Sequence, residues 1–233
     1  EVNIPDQISD NVTLSTMHGC PSNEIANICR YLIEERKLHT SLKLNPTLLG
    51  KDALRNILND KLGYEIIVPD EAFKHDLNYD DAVSIINSLK KSADNAGVEF
   101  GLKLTNTLEA SNSTNWLPEK EKMVYTSGRP LHPISVNLAE KLQSDFNGEL
   151  DISFSAGVDV FNVVDTLACN LKPITVCSDL LKPGGYLRLA QYLEEIQKSI
   201  ESTNQNNIDD YIKVKGNDNL LSRAGLQNLK HYA

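Results

Sequence analysis

The feature that most narrows the fold is an alternation: short runs rich in β-branched residues and leucine give way to stretches with apolar residues at helical spacing, with a period of roughly 25 to 35 residues. Parallel strands need a long crossover between them, usually a helix, so this period predicts βα units. Strands are expected over 12–16, 42–45, 64–68, 100–105, 150–155 and 174–177. The helix after Pro21 places Ile25, Ile28, Cys29 and Leu32 on one face, and later helices do the same with Leu54, Ile57 and Leu58, with Val83, Ile86 and Leu89, and with Ile134, Leu138 and Leu142. The pattern predicts an α/β chain with a parallel sheet and right-handed crossovers, either open and doubly wound or of (β/α)8 TIM-barrel type. The favoured form is an incomplete barrel of about six parallel βα units over residues 1–202, followed by a polar tail over 203–233 with a peripheral helix or linker. Residues 109–129 are polar and unusually long for a connection, which suggests a lid or binding loop.

Charge and composition exclude several classes. With 23 Lys and Arg against 32 Asp and Glu, the chain carries a net charge of −9, which disfavours a nucleic-acid partner. No apolar run approaches the roughly 20 residues that span a bilayer, and no basic region followed by an apolar stretch opens the chain, so no membrane partner is expected. Cys20, Cys29, Cys169 and Cys177 form no C-x-x-C pair, which fits a reducing cytoplasm better than a disulfide framework or a zinc site. The opening at Glu1, within the polar run 1–11, suggests an excerpt of a longer protein.

In a parallel α/β fold, chemistry sits at the C-terminal strand ends. Those ends carry Ser15, Thr16 and His18; Lys43 and Asn45; Pro69 and Asp70; Lys103, Thr105 and Asn106; Ser155 and Gly157; and Cys177 and Ser178. Two ends are near-copies about sixty residues apart: Leu42-Lys43-Leu44-Asn45-Pro46-Thr47-Leu48 and Leu102-Lys103-Leu104-Thr105-Asn106-Thr107-Leu108. A lysine inside an apolar strand is costly unless it is paired or faces a polar mouth, and a matched pair favours a ligand site over a buried ion pair. Ser155-Ala156-Gly157 and Cys177-Ser178 end consecutive strands, as phosphate-collecting loops do in barrels. Neither a G-x-G-x-x-G turn nor a P-loop motif is present. His18 has no carboxylate partner visible in the sequence, and His39, His75, His132 and His231 form no metal-ligating spacing, so no metal is expected.

Several of these stretches are familiar. Thr13-Leu14-Ser15-Thr16-Met17-His18-Gly19-Cys20-Pro21, Ile28-Cys29-Arg30-Tyr31-Leu32, Leu42 to Gly50, Lys103 to Thr107, Ser127-Gly128-Arg129 and Leu180-Leu181-Lys182-Pro183-Gly184-Gly185-Tyr186 closely resemble the bacterial family named "putative selenate reductase subunit". The resemblance covers roughly residues 5 to 200, and members of that family are large iron–sulfur flavoprotein oxidoreductases. More distantly, the same stretches are similar to the FMN barrel of dihydropyrimidine and dihydroorotate dehydrogenases.

The resemblance implies a flavoprotein site. It places Lys43 at the flavin edge, where a fixed positive charge stabilises the anionic reduced ring. It places Thr13, Asn106, Ser127, Gly128, Ala156, Gly157, Cys177 and Ser178 around FMN, and Ser15, His18, Asn45 and Asn106 on the substrate side. Thr16 falls where those dehydrogenases carry a cysteine or serine base, and a threonine hydroxyl is a poor base. An extra βα unit around 64–97 leaves Lys43 and Lys103 competing for the flavin-edge role. About three βα units of the relatives have no counterpart before Thr13, so FMN binding by this chain is expected to be weak or absent and the isolated fragment inactive. The implied function is flavin-dependent electron or hydride transfer on a small-molecule substrate in a larger oxidoreductase. FAD and iron–sulfur clusters would lie in other domains of the same parent chain. Self-association into a homo-oligomer through an exposed sheet edge is also expected. Two rival readings use the same residues: a barrel without cofactor that docks redox domains, and a barrel enzyme whose strand lysine forms a Schiff base.

Overall fold

The computed structural model describes residues 2, 4, 8–15, 18–113 and 117–233. In chain order it contains β1 (Asn11–Ser15), α1 (Ser22–Arg30), β2 (His39–Leu44), α2 (Lys51–Arg55), α3 (Asp70–His75), α4 (Tyr79–Ala96), β3 (Phe100–Leu104), β4 (Leu108–Ser111), β5 (Met123–Thr126), α5 (Leu131–Asp145), β6 (Ile152–Phe154), α6 (Val163–Ala168), α7 (Arg188–Ser202), α8 (Ile208–Gly216) and α9 (Leu221–Tyr232). Strands β1, β2, β3 and β6 form one parallel sheet in that order, and a parallel bridge from Phe154 to Ile174 extends it by one position. The fold is therefore α/β, with helices supplying the crossovers as the period predicts.

Strand alternation divides the sheet into two unlike faces. Leu42, Leu44, Leu102, Leu104, Ile152 and Phe154 are buried against the helices. The residues between them, Ser41, Lys43, Lys103 and Ser153, lie half-buried on the opposite face. The near-copies pair with each other in register, Leu42 with Leu102, Lys43 with Lys103 and Leu44 with Leu104. Ser15 pairs with Lys43 on one side and Ser153 with Lys103 on the other, so one polar row crosses the sheet.

Local signals set the helix ends. Pro21, in the extended conformation, precedes α1, whose Ile25, Ala26 and Cys29 are buried. Asn78 accepts a hydrogen bond from the Asp81 backbone N–H at 2.9 Å and caps α4, which ends at Gly97 in the left-handed region with φ 70°.

Three expectations need correction. Residues 64–68 form no strand: Asn59 Nδ2 donates to the Tyr64 and Ile66 carbonyls at 2.7 and 2.9 Å, Arg55 donates to the Val68 carbonyl, and the Ser111 N–H donates to the Ile67 carbonyl. With its carbonyls taken up this way the run joins no ladder, the expected extra βα unit is absent, and β2 lies beside β3. Residues 174–177 contribute a single bridge at Ile174 rather than a strand, so among the described residues the parallel sheet has four laddered strands rather than about six. Residues 109–129 are not a plain loop, because β4 and β5 pair antiparallel from Leu108 with Thr126 to Ser111 with Met123, and Leu108 and Ala110 are buried.

Residues beyond 203 pack on the fold. Ile212 on α8 and Leu229 on α9 are fully buried, and a Cβ on Gly216 would lie 2.4 Å from the Ala224 carbonyl oxygen, so the two helices touch backbone to backbone. His132 on α5 joins this layer to the strand ends. Its Nδ1 lies 2.8 Å from the Ala156 carbonyl and its Nε2 2.8 Å from the Tyr232 hydroxyl, a pattern met by a neutral ring that donates through Nδ1 and accepts at Nε2. Burial lowers the pKa of this ring and so favours the neutral form. Tyr232→Phe leaves Nε2 without its donor and is expected to cost about 1 kcal/mol in urea denaturation, with unchanged circular dichroism.

Candidate active site

At the C-terminal ends of β2, β3 and β6 lies a cleft of about 630 Å3. Lys43 and Lys103 line it from the polar row, with Ser155 and Thr175 beside them, and the other walls come from three loops. One loop is the hairpin, which contributes Thr107 at its entry and Ser127, Gly128 and Arg129 at its exit. The second runs from Ser155 to Asp159 and the third from Thr175 to Lys182, where Ser178–Leu181 makes a single 3₁₀ turn.

The two lysines are neighbouring cations on adjacent strands. Among the described residues no carboxylate pairs with either ammonium group. Burial and, next, the positive charge of Lys103 lower the pKa of Lys43. Like charges in register on adjacent strands repel, so the row is suited to an anionic ligand.

The loops are held to one another by close backbone approach. Gly157 has φ 59°, and a Cβ there would lie 2.4 Å from the Gly128 carbonyl oxygen and 2.9 Å from the Arg129 Cα. Only glycine fits this contact. A Cβ on Gly128 would in turn meet Ser178 at 3.5 Å, so all three loops meet at one point.

Two buried carboxylates that the sequence reading did not single out order the cations of the rim. Arg129 reaches Asp159 through Nε at 2.7 Å and Nη2 at 2.6 Å, and its guanidinium lies over the Phe161 ring. Asp179 accepts from Arg188 Nε at 2.9 Å and Nη2 at 3.1 Å, from Lys182 Nζ at 2.8 Å and from the Tyr192 hydroxyl at 2.8 Å. Arg188 first, then Lys182 and Tyr192, hold the Asp179 carboxyl well below the ordinary carboxylate range against the opposing effect of burial. The i, i+3 spacing of Asp179 and Lys182 is the one trace of this network in the sequence.

The expected site residues divide. Lys43, Lys103, Ser127, Gly128, Gly157, Cys177 and Ser178 line the cleft together. Ala156 is buried, with its carbonyl turned to His132. Thr13 is exposed on β1 and does not line the cleft. Thr16 lies outside the described residues. Ser15, Asn106 and Asn45 form a chain beside the cleft, with Ser15 Oγ donating to Asn106 Oδ1 at 3.1 Å and Asn106 Nδ2 to Asn45 Oδ1 at 2.7 Å. His18 has the carboxylate partner that its sequence neighbourhood does not reveal, because its Nδ1 lies 3.0 and 3.1 Å from the two oxygens of Asp76.

The family model described as "Oxidoreductase YgfK, N-terminal TIM-barrel domain" matches residues 1–226. The chain belongs to this family. It is 46% identical over 197 residues to "Putative oxidoreductase YgfK" of Escherichia coli K12 and equally to that of Escherichia coli O157:H7, covering 84% of this chain and 19% of each relative. The chain thus spans about a fifth of the length of those relatives. Among solved structures, a crystal structure of DHODH in complex with ferulenol from Eimeria tenella aligns at a TM-score of 0.46 and 16% identity, covering 83% of this chain and 58% of that one. Family membership settles the class of fold, a TIM-barrel domain of proteins described as oxidoreductases. No helix among the described residues is long and apolar enough to cross a membrane.

Proposed function

We propose that the cleft is the FMN site of a flavin-dependent oxidoreductase, with Lys43 and Lys103 against the ring and the loops at Ser127-Gly128, Gly157 and Cys177-Ser178 around the phosphate. The observation that carries this reading is the pair of half-buried, in-register lysines, neither paired with a carboxylate among the described residues, set in a cleft whose loops meet at Gly128 and Gly157. The donor set fits an anionic cofactor of nucleotide size, because cations line the cleft together with small residues that allow close backbone approach. When bound, FMN supplies a centre that takes up and releases a hydride or single electrons.

The chain's own residues then have distinct tasks. Lys43 and Lys103 hold positive charge where negative charge develops. Asp159 and Asp179 anchor Arg129 and Lys182 at the rim, and the Ser15–Asn106–Asn45 chain offers polar groups to a small-molecule substrate on the β1 side. In the longer proteins, FAD and iron–sulfur centres in other domains would exchange electrons with this site. The selenate reductase name attached to the resembling family is a further proposal about those proteins, and no side chain of the cleft is specific to selenium.

Flavin absorbance and fluorescence titration of the longest natural polypeptide carrying this domain, beside the 233-residue chain, tests the reading. Lys43→Met and Lys103→Met are each expected to weaken FMN binding by roughly tenfold, about 1.4 kcal/mol. Absence of flavin binding from the long polypeptide, or an affinity in both variants unchanged from that of the native sequence, would refute it. The lowered pKa of Lys43 beside Lys103 also favours a second reading, a nucleophilic amine that forms a Schiff base with a carbonyl substrate. Borohydride trapping with a panel of aldehydes, read by mass spectrometry at Lys43, distinguishes the two.

A further inference from the structure

Beyond residue 10, the four most exposed large apolar side chains among the described residues are Phe161, Leu181, Tyr186 and Leu187, each more than 80% open to water. They are not scattered. All four sit on the two loops that follow β6 and the Ile174 bridge, and Leu181 itself lines the cleft. A lone exposed leucine means little, whereas four such side chains grouped at one mouth offer roughly 600 Å2, the upper end of what a monomer leaves open.

The ion pairs of the rim hold the group together. Arg129 lies over the Phe161 ring and reaches Asp159, while Asp179 gathers Lys182 and Arg188, the residues next to Leu181 and Leu187. Tyr192 joins the two halves, because its hydroxyl lies 2.8 Å from Asp179 and 3.4 Å from the Val158 carbonyl, beside Asp159. The charges are layered. The side chains of Asp159 and Asp179 are 4% and 3% exposed, whereas those of Arg129, Lys182 and Arg188 are 57%, 45% and 25% exposed. Three cations cover two carboxylates, so the surface that meets solvent here is cationic, although the chain as a whole carries a net charge of −9. Apolar side chains set among cations match an acidic protein surface that brings apolar groups of its own.

We propose that an acidic surface in the remainder of the longer polypeptides of this family docks on Phe161, Leu181, Tyr186 and Leu187 and closes that side of the cleft mouth. The chain spans 19% of its Escherichia coli relatives, so most of each relative lies outside the segment that carries the patch. Charge argues against a second copy of this chain, which would bring the same cations face to face across an isologous contact. A lipid surface is also anionic, but the cations here are fixed by buried carboxylates, and fixed geometry suits a partner of fixed shape. The contact is defined by the surface alone, and only its consequence for FMN rests on the function proposed above.

The test is photochemical carbene labelling, read residue by residue by mass spectrometry, of the longest natural polypeptide carrying this domain beside the 233-residue chain. Labelling of Phe161, Tyr186 and Leu187 is expected to be at least fivefold lower in the long polypeptide. Leu187→Asp, which adds a charge of the partner's sign, should raise the labelling of Phe161 and Tyr186 in the long polypeptide at least threefold, and Leu187→Lys should raise it less. Both substitutions fall at a side chain 83% exposed, so neither disturbs the fold. Equal labelling of the two polypeptides would overturn the proposal, as would equal effects of the Asp and Lys variants. Two other results would overturn it by assigning the face elsewhere. Protection in the 233-residue chain that grows with its own concentration would point to a second copy, and protection of the long polypeptide only on phosphatidylglycerol vesicles would point to a lipid surface. No flavin enters the labelling, so failure of FMN to bind removes the cofactor reading and leaves the docking surface to be decided by the labels.

Discussion

Gly157→Ala is expected to lower stability by about 3 kcal/mol and to abolish ligand binding in the cleft while leaving the parallel sheet intact. Two effects combine. The residue sits at φ 59°, where a Cβ is strained, and that Cβ would fall 2.4 Å from the Gly128 carbonyl oxygen and 2.7 Å from its carbon. Both groups are backbone, so no rotamer change relieves the clash, and the hairpin exit must move away from the 155–159 loop. For a chain of this length the loss corresponds to a fall of roughly 6 to 12 °C in melting temperature. Differential scanning calorimetry with far-ultraviolet circular dichroism checks it. A melting temperature within 2 °C of the native chain would show that the loops separate without cost and that their contact does not shape the cleft.

Asp179→Ala is expected to cost about 2–3 kcal/mol, the second largest effect. The substitution removes the shared acceptor of Arg188, Lys182 and the buried Tyr192 hydroxyl, and breaking one side of a buried charge cluster is worse than never having built it. The figure lies at the lower end for such losses because Lys182 and Arg188 retain partial access to water. The pH dependence has a definite sign. The folded-state pKa of Asp179 is depressed, so its contribution is present above the unfolded carboxylate value and is lost as pH falls below about 4 toward the folded value. Urea denaturation at pH 7 and pH 3 should show the difference between native and Asp179→Ala chains shrinking at the lower pH. A difference that grows on acidification would mean that Asp179 is not the charged hub of the rim.

Much of this was legible in the sequence, for reasons that lie in particular residues. Leu42, Leu44, Leu102 and Leu104 alternate with polar residues, and period-two alternation marks a half-buried strand directly. The repeat of Leu-Lys-Leu pointed to two equivalent strand ends, and the structure seats them side by side. The run 64–68 misled because its composition is that of a strand. What keeps it out of the sheet is a set of donors from Asn59, Arg55 and Ser111, and apolar pattern carries no record of such partners. The hairpin was hidden by brevity, since each of its strands has four residues and only Leu108 and Ala110 turn inward from β4. Ion pairs distant in sequence were invisible for the same reason: His18 and Asp76 are 58 positions apart, and only the folded chain brings them together.

The polar row across the sheet has one more implication. Two ammonium groups set abreast on neighbouring strands are an electrostatic spring, compressed whenever the cleft holds only water and eased whenever it receives an anion. A neutral molecule of the right outline leaves that spring compressed, however well its edges match the walls. On the function proposed above, such a cleft would sort its visitors by charge before it sorts them by shape.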